Sequence, residues 1–271
     1  MKTRLHLGGY REYTPPDDLR IFVQGVWTYS RPIDGAPIPG LGHRLVPDPA
    51  LSLTFSSRRD AAGNVLSGRL VLIGPTTTQR FFSPEAGVDA AAVRLHPEWA
   101  RDILGVDPRD HFDSVEAAAG TFPAKGRRAF DRLARTQSAT EAIEVLLDEM
   151  RSLIATARIS RESRLAHAAR EWIASRNAST LSLHELAREN GVSERHLRRA
   201  VKTTTGASPK QLHRIRRVLE VMLTADRVAR PAWAQLAADN GFYDQPHMIA
   251  EFQAMAGCSP AQLHTERSAQ I

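Results

Sequence analysis

The strongest constraint on the fold is a pattern that occurs twice in the C-terminal part of the chain. In the first copy, Gly191–Ser193 is followed fifteen positions later by Gly206–Leu212, and in the second, Gly241–Tyr243 is followed sixteen positions later by Gly257–Leu263. Each copy follows a short amphipathic segment that ends in a turn of small residues, which is typical of a helix-turn-helix. Two such units predict an all-α region that contacts DNA at two places.

Length and composition are those of an ordinary globular protein. At 271 residues the chain is long enough for two domains with separate cores. It shows no apolar run of membrane-spanning length and no secretory signal, so we expect it in the cytoplasm. The single cysteine, Cys258, excludes an internal disulfide and any cysteine-rich zinc module. No cofactor is expected.

The net charge of +6 comes entirely from the C-terminal part. Residues 1–155 contain nineteen Lys and Arg against nineteen Asp and Glu, whereas residues 156–271 contain seventeen against eleven. Within 191–217, Glu194 alone opposes eight basic residues, which are Arg195, Arg198, Arg199, Lys202, Lys210, Arg214, Arg216 and Arg217. A solvated helix face usually mixes signs, so this bias favours a surface that binds a polyanion.

Short β-type runs separated by Pro and Gly fill the first third of the chain. Candidate strands lie at 21–29, 51–55, 69–74 and 90–95. Several short strands with turn signals between them predict a small β-sandwich or barrel, cupin-like in type. Its aromatic residues could line a pocket, although core positions are the favoured interpretation for most of them; they are Trp27, Phe55, Phe81 and Phe82.

Helical patterns follow the strands. Residues 98–105, 127–137 and 140–150 are expected to form helices that flank the sheet, which makes the fold class α+β. The last of these carries an apolar stripe formed by Ile143, Leu146, Leu147 and Met150. Packing of this stripe against the sheet is favoured over a role as a dimer seam.

The sequence predicts two domains. Residues 1–157 are expected to form a regulatory or dimerisation domain that is β-rich over 1–96 and helical over 97–157. Residues 158–271 are expected to form the DNA-binding domain, because the helical pattern continues there almost to the end.

The first unit has the residue types that a DNA-recognition helix needs. Ser193 stands where the helix requires its N-cap. The exposed positions are then predicted to be Glu194, Arg195, His196, Arg198, Arg199 and Lys202. Since Arg can bond guanine or clamp phosphate, we expect Arg195, with Arg198 or Arg199, in the major groove. Lys202 is better suited to a phosphate.

The second unit keeps the packing residues but lacks the positive charge. Its groove-facing candidates are Tyr243, Asp244, Gln245, His247 and Ala250. Gln can pair bidentately with adenine, and Asp244 is placed to cap the helix. Residues 231–267 contain only Arg267 against Asp239, Asp244, Glu251 and Glu266. Phosphate attraction supplies much of DNA affinity, so the first unit is expected to dominate binding.

The C-terminal hundred or so residues resemble the DNA-binding domain of AraC/XylS-family regulators. The resemblance is carried by Leu186–Arg199, Ser208–Leu212 and Gly241–Phe252, of which the last is the most specific. It implies two helix-turn-helix units joined by a long helix, with Arg217 matching an Arg near the start of that helix. Pro246 and Ala250 depart from the family, which usually has Ser or Ala, and Arg, at these positions.

The N-terminal part resembles, less specifically, the sandwich domain that precedes this module in one branch of the family. The resemblance is carried by Val46–Pro49 and Val93–Pro97. In the family, N-terminal domains of this kind often bind effectors or dimerise. Taken with the C-terminal module, the expected partner is operator DNA, and a small-molecule effector, a second copy of the chain and RNA polymerase stay open as further partners. The effector, the operator and the sign of regulation are not written in the sequence.

Three alternatives stay open. In the first, the chain is a cupin-like metal-dependent enzyme or sensor fused to a DNA-binding module, with a site drawn from His43, His96, His111, Asp48 and Glu98. The wide spacing of these residues disfavours a metal site. In the second, Cys258 accepts methyl groups, although a small buried residue is the simpler interpretation. In the third, the chain is a regulator without a ligand, controlled by abundance or by a protein partner.

Overall fold

The protein is described by a computed structural model, which covers residues 3–7, 9–31, 43–76, 79–82, 86–118, 123–175 and 182–268. The chain forms two compact units. The first consists of Met1–His43, Ala50–Pro75 and Phe81–Ile159, and the second of Arg44–Pro49, Thr76–Arg80 and Ser160–Ile271. The main segment of the second unit begins at Ser160, and the expected functional boundary between residues 157 and 158 stays a prediction.

The strands are β1 (Thr3–Leu7), β2 (Tyr10–Tyr13), β3 (Val23–Ser30), β4 (His43–Leu45), β5 (Leu51–Arg59), β6 (Val65–Ile73), β7 (Arg80–Phe82), β8 (Val88–Leu95) and β9 (Val115–Ala117). Seven of them form one sheet in the order β1-β2-β3-β8-β5-β6-β9, while β4 pairs with β7. The described neighbours in the large sheet are antiparallel. The strands expected to form a small sandwich or barrel thus form mainly one large sheet.

The core of the first unit lies on one face of this sheet. Strand β5 pairs with β8 so that Leu53 lies opposite Val93 and Phe55 opposite Ala91, and all four side chains are buried. Residues two apart on a strand point to the same face, so these strands present a continuous apolar surface. Phe55 is therefore a core residue, as favoured, whereas the side chains of Phe81 and Phe82 lie outside the described residues.

Among the described residues, the first unit also contains three α-helices, which are α1 (Ala100–Leu104), α2 (Pro123–Leu133) and α3 (Ala139–Thr156). Ser138 caps α3 by accepting a hydrogen bond from the amide of Glu141. The stripe Ile143, Leu146, Leu147 and Met150 is buried within the same core cluster as the sheet residues. The expectation that it packs against the sheet is confirmed, and so is the α+β fold class.

The second unit contains seven helices among the described residues. They are α4 (Arg161–Ser175), α5 (Leu183–Glu189), α6 (Glu194–Thr205), α7 (Pro209–Ala225), α8 (Trp233–Asp239), α9 (Gln245–Ala256) and α10 (Pro260–Ser268). One core cluster joins α4, α5 and α6 and reaches the start of α7. A second joins the rest of α7 to α8, α9 and α10. The expected pair of helix-turn-helix units joined by a long helix is confirmed, and α7 is that helix.

Two short segments that precede the helices in sequence also belong to the second unit. Val46 packs against the core cluster of α7–α10. Arg44 donates through Nε and Nη2 to the two carboxylate oxygens of Glu266, at 2.9 and 3.0 Å, and through Nη1 to the carbonyl of Ala256 at 2.9 Å. Within the described residues, no helix is long and apolar enough to cross a membrane.

Candidate nucleic-acid interface

The turn between α5 and α6 is built from local hydrogen bonds. The side-chain amide of Asn190 donates to the carbonyl of Leu186 at 2.9 Å. Gly191 then adopts a left-handed conformation with φ 62°, which is the conformation that glycine adopts most readily. Ser193 caps α6 by accepting from the amide of His196 at 3.2 Å. These contacts fix the direction in which α6 leaves the turn.

Helix α6 presents a basic surface. Arg195, Arg198, Arg199 and Lys202 are exposed, and Glu194 and His196 are half-buried. Arg195, Arg199 and Lys202 follow the spacing i, i+4, i+7, which places them on one side of the helix. None of these three forms an ion pair with a residue that the structure describes. Their charges are therefore available to a polyanion.

Arg198 is different from the other three cations because it is paired. Its Nη2 lies 2.5 Å from Oε1 of Glu194, one helical turn earlier, and its Nε donates to the same oxygen. An exposed pair of this kind contributes little to stability. It does hold the guanidinium over the start of α6, and it offsets one of the positive charges there.

The basic residues of α7 point mostly inward. Arg216 donates to the carbonyl of Ile173 at 2.8 Å. Arg214 Nε and Arg217 Nη2 each lie 3.0 Å from the same carboxylate oxygen of Glu251, which belongs to α9. The sequence analysis assigned all of these charges to a polyanion-binding surface. Charge alone does not show which basic side chains form ion pairs or hydrogen bonds within the folded protein.

Arg217 is buried, with only 9% of its surface exposed. Besides Glu251, it donates to the carbonyl of Gly241 at 2.8 Å. Its guanidinium carbon lies 4.4 Å from the centre of the Phe242 ring, within the range of a cation–π contact. Its expected contact with DNA stays a prediction. The contacts seen in the structure give it a second role, because they connect α7 to the turn and to α9 of the second helix-turn-helix.

His213 lies beside this cluster and is also buried. Burial, together with the positive charges of Arg217 and Arg216, lowers the pKa of the imidazole below its usual value, and Glu251 acts in the opposite direction. The neutral form of His213 is therefore favoured in the folded protein.

The second turn repeats the first with one added residue. Asn240 donates to the carbonyl of Leu236 at 2.9 Å, and Gly241 has φ 68°. Asp244 caps α9 by accepting from the amide of His247 at 2.8 Å. The cap is three residues after Asn190 in the first turn but four residues after Asn240 in the second. The added residue falls at Tyr243, whose side chain is 92% exposed.

The surface of α9 lacks the positive charge of α6. Its residues 245–256 include no Lys or Arg. Gln245 is half-buried, as is His247, whose Nδ1 accepts from the amide of Tyr243 at 3.2 Å. Pro246 occupies the first turn of α9, where its missing amide hydrogen costs nothing. The expected base contacts of Tyr243 and Gln245 stay predictions, whereas Asp244 and His247 hold the turn through these hydrogen bonds.

The groups considered for other chemistry do not assemble where the structure describes their side chains, and the side chain of His43 lies outside that part of the chain. Among the described residues, no three His, Cys, Asp or Glu side chains come together as metal ligands. His111 Nδ1 lies 2.9 Å from a carboxylate oxygen of Glu116. Cys258 is 1% exposed, in the core cluster of α7–α10, and burial raises the pKa of its thiol. It is therefore a buried core residue, as the simpler interpretation held, and a raised pKa makes a thiol less reactive.

An α-helical unit with two helix-turn-helices, an exposed basic recognition helix and a connecting helix defines a class of DNA-binding transcription regulators. The comparisons with known proteins agree with this class. Residues 186–266 match a family model described as a helix-turn-helix domain. This match agrees with the AraC-type resemblance found in the sequence, and the chain is a DNA-binding transcription regulator.

Other comparisons describe the remainder of the chain. Residues 11–116 match a family model described as a domain of unknown function (DUF6597). No curated protein matches the chain significantly.

Solved structures with a distant likeness to the chain include ToxT from Vibrio cholerae. ToxT from strain O395 has 8% identity and a TM-score of 0.46, with 96% of this chain and 98% of that chain covered. The same protein bound to (E)-4-(8-methylnaphthalen-1-yl)but-3-enoic acid gives 8% identity and 0.45, with 95% and 99% covered. ToxT from strain SCE256 with an unsaturated fatty acid gives 7% and 0.45, with 90% and 95% covered.

Proposed function

We propose that this regulator binds its operator mainly through the first helix-turn-helix, with α6 in the major groove. The observation that carries the proposal is the difference between the two recognition helices. Helix α6 exposes Arg195, Arg199 and Lys202 without ion-pair partners among the described residues, whereas α9 has no basic residue. Release of counterions by Lys and Arg supplies a large share of DNA affinity.

The second helix-turn-helix adds contacts of a different kind. We assign base contacts to Gln245 and Tyr243, because amide side chains pair with adenine and Tyr243 is exposed in the turn just before α9. In the first helix-turn-helix, the N-terminal end of α6 carries Ser193, Glu194 and His196. An acid at this end can accept a hydrogen bond from cytosine. In this proposal, the second helix-turn-helix is held in place by Asp244, His247 and Arg217.

The proposed roles of the two domains follow from the same division. Residues 158–271 bind operator DNA in the cytoplasm, and residues 1–157 regulate that binding through an effector or a second copy of the chain. RNA polymerase is the proposed further partner at the promoter. The chain has no proposed catalytic activity.

The test is an alanine comparison on the full chain, with DNA taken from a genome-wide map of its binding sites. Arg195→Ala and Arg199→Ala are each expected to weaken binding about tenfold or more, since charge-assisted hydrogen bonds are worth roughly 1.5–3 kcal/mol. Gln245→Ala is expected to weaken it less. Arg69→Ala, which removes the same charge from an exposed position on β6, is the matched control.

The dissociation constants would be measured by fluorescence anisotropy at a single salt concentration. If Gln245→Ala lowers the affinity for DNA more than either arginine variant does, the first helix-turn-helix does not dominate binding and the proposal is wrong. A map without discrete binding sites would contradict sequence-specific regulation altogether.

A further inference from the structure

The core face of the large sheet changes character toward one end. On β3, buried Val26 is followed on the same face by Thr28 and Ser30, because residues two apart share a face. On β8 the same step leads from Ala91 to Asp89, which lies opposite Ser30 and Ser57 on the neighbouring strands. Three adjacent strands thus turn from apolar to polar at the same end of the sheet.

A cavity of about 320 Å³ lies at this end, which is the lower part of the range for small-molecule sites. Its walls are the strand residues Arg11, Tyr13, Thr28, Ser30 and Asp89, and the segment Gln137–Thr140 at the start of α3. Polar groups therefore face the cavity from the sheet and from the helix. All of these residues belong to the first unit.

The cavity has donors that are not used within the protein. The amides of Ala139 and Thr140 stand in the first turn of α3, where the helix provides no acceptor, and they make no hydrogen bond to a described residue. Arg11 is exposed and forms no ion pair with a residue that the structure describes. A helix N-terminus together with a guanidinium is suited to a carboxylate.

The acidic side of the cavity is already balanced. Asp89 has Arg59 as its partner, with Nε of the guanidinium 3.4 Å from the carboxylate, and the side chain of Arg59 is only 7% exposed. The carboxylate of Glu141 accepts from the amide of Gln137 at 2.7 Å. Arg11 is therefore the lining cation with no acid to neutralise it among the described residues.

Hydroxyl groups complete the lining. Thr28 is buried, and its Oγ1 lies 3.5 Å from the hydroxyl of Tyr13. The cavity wall therefore carries hydroxyl groups from Tyr13 and Thr28 beside the carboxylate of Asp89.

We infer that this cavity binds a small hydroxy acid, with its carboxylate between Arg11 and the amides of Ala139 and Thr140 and its hydroxyl groups against Tyr13, Thr28 and Asp89. The assignment of this ligand to the cavity does not depend on the proposed DNA-binding function. Only the statement that the ligand acts as an effector rests on the proposed function.

The experiment measures binding to the full chain by calorimetry and by thermal shift. The probes are L-lactate, L-malate, L-tartrate, D-gluconate and D-galacturonate, with D-sorbitol as the hydroxylated molecule without a carboxylate and hexanoate as the carboxylate without hydroxyls. At least one hydroxy acid is expected to raise the melting temperature and to bind about tenfold or more tightly than both controls. If no hydroxy acid binds, or if sorbitol or hexanoate binds equally well, the assignment is overturned.

Variants locate the binding. Arg11→Gln is expected to raise the dissociation constant about tenfold or more, and Thr28→Val about fivefold, as expected for a charged and a neutral hydrogen bond. Arg69→Gln, at an exposed position on β6, should leave it unchanged. The melting temperature of each variant without ligand shows that it is folded. Equal affinity of Arg11→Gln and the parent protein would place the ligand elsewhere and reject the site.

Operator affinity with and without the hydroxy acid separates the two proposals. A change in affinity that Arg11→Gln abolishes supports the role as effector. If the parent chain binds the hydroxy acid but binds no operator DNA, the proposed function is wrong and the cavity site stands. Ligand binding with no change in operator affinity would reject the effector role.

Discussion

At the scale of single residues, Glu251 is a buried acid that ties the second helix-turn-helix to α7. It is 8% exposed, and its carboxylate receives Arg214 and Arg217 from α7 at 3.0 Å each. Arg217 in turn holds the carbonyl of Gly241. A buried carboxylate shared by two guanidiniums is costly to disrupt, because removal of the acid leaves a cation buried without its counter-charge.

We therefore expect Glu251→Gln to lower the free energy of unfolding by about 2–3 kcal/mol. This is below the full cost of breaking a buried pair, since Arg214 is partly solvated. Urea unfolding of the full chain measures the change. Glu220→Gln removes the same charge from an exposed position on α7 and should cost less than about 0.5 kcal/mol. Equal losses for the two variants would show that the cluster does not stabilise the unit.

At the scale of elements, the two helix-turn-helix units share one turn design. In both, an Asn side chain bonds back to the first helix, and a glycine with positive φ follows. An ideal Cβ built on Gly191 meets no atom within 4 Å. The requirement for glycine at this position is therefore conformational and does not come from close packing.

Gly191→Ala is expected to cost about 1–2 kcal/mol, which is the penalty for an L-residue in the left-handed region. Gly191→Asn should cost clearly less, because Asn tolerates this region better than Ala does. Urea unfolding and circular dichroism of both variants measure the difference. The outcome that contradicts a conformational requirement is an Asn variant as unstable as the Ala variant, or an Ala variant as stable as the parent.

The sequence predicted the helical elements better than the contacts between them. Caps and turn glycines such as Ser193 and Gly191 act over a few residues, so that local patterns reveal them. The burial of Arg217 depends on Glu251 and Phe242, which lie far along the chain, and its charge suggested DNA instead. The polar cavity was missed because residues of three separate strands and of the start of α3 form it. Its signal was the change from Val26 to Thr28 and Ser30 on a single face.

At the scale of the whole molecule, the chain separates its charge between two units. The net excess of basic residues lies in residues 156–271. The structure shows that only some of these positive charges are available to bind DNA. Arg198, Arg214, Arg216 and Arg217 have partners within the second unit. Arg195, Arg199 and Lys202 are the exposed cations of α6 without an ion pair among the described residues. The salt dependence of DNA binding should therefore trace mainly to one helix.

This leads to a quantitative expectation for the salt dependence. The logarithm of the association constant falls with the logarithm of salt concentration by about 0.9 per phosphate contact. The triple variant Arg195→Gln, Arg199→Gln, Lys202→Gln should reduce the steepness of this dependence by about 2–3, whereas Gln245→Ala should leave it unchanged. Anisotropy titrations at several salt concentrations measure both slopes, with Arg69→Gln as the control for net charge. A triple variant with the slope of the parent would show that the phosphate contacts are made elsewhere on the chain.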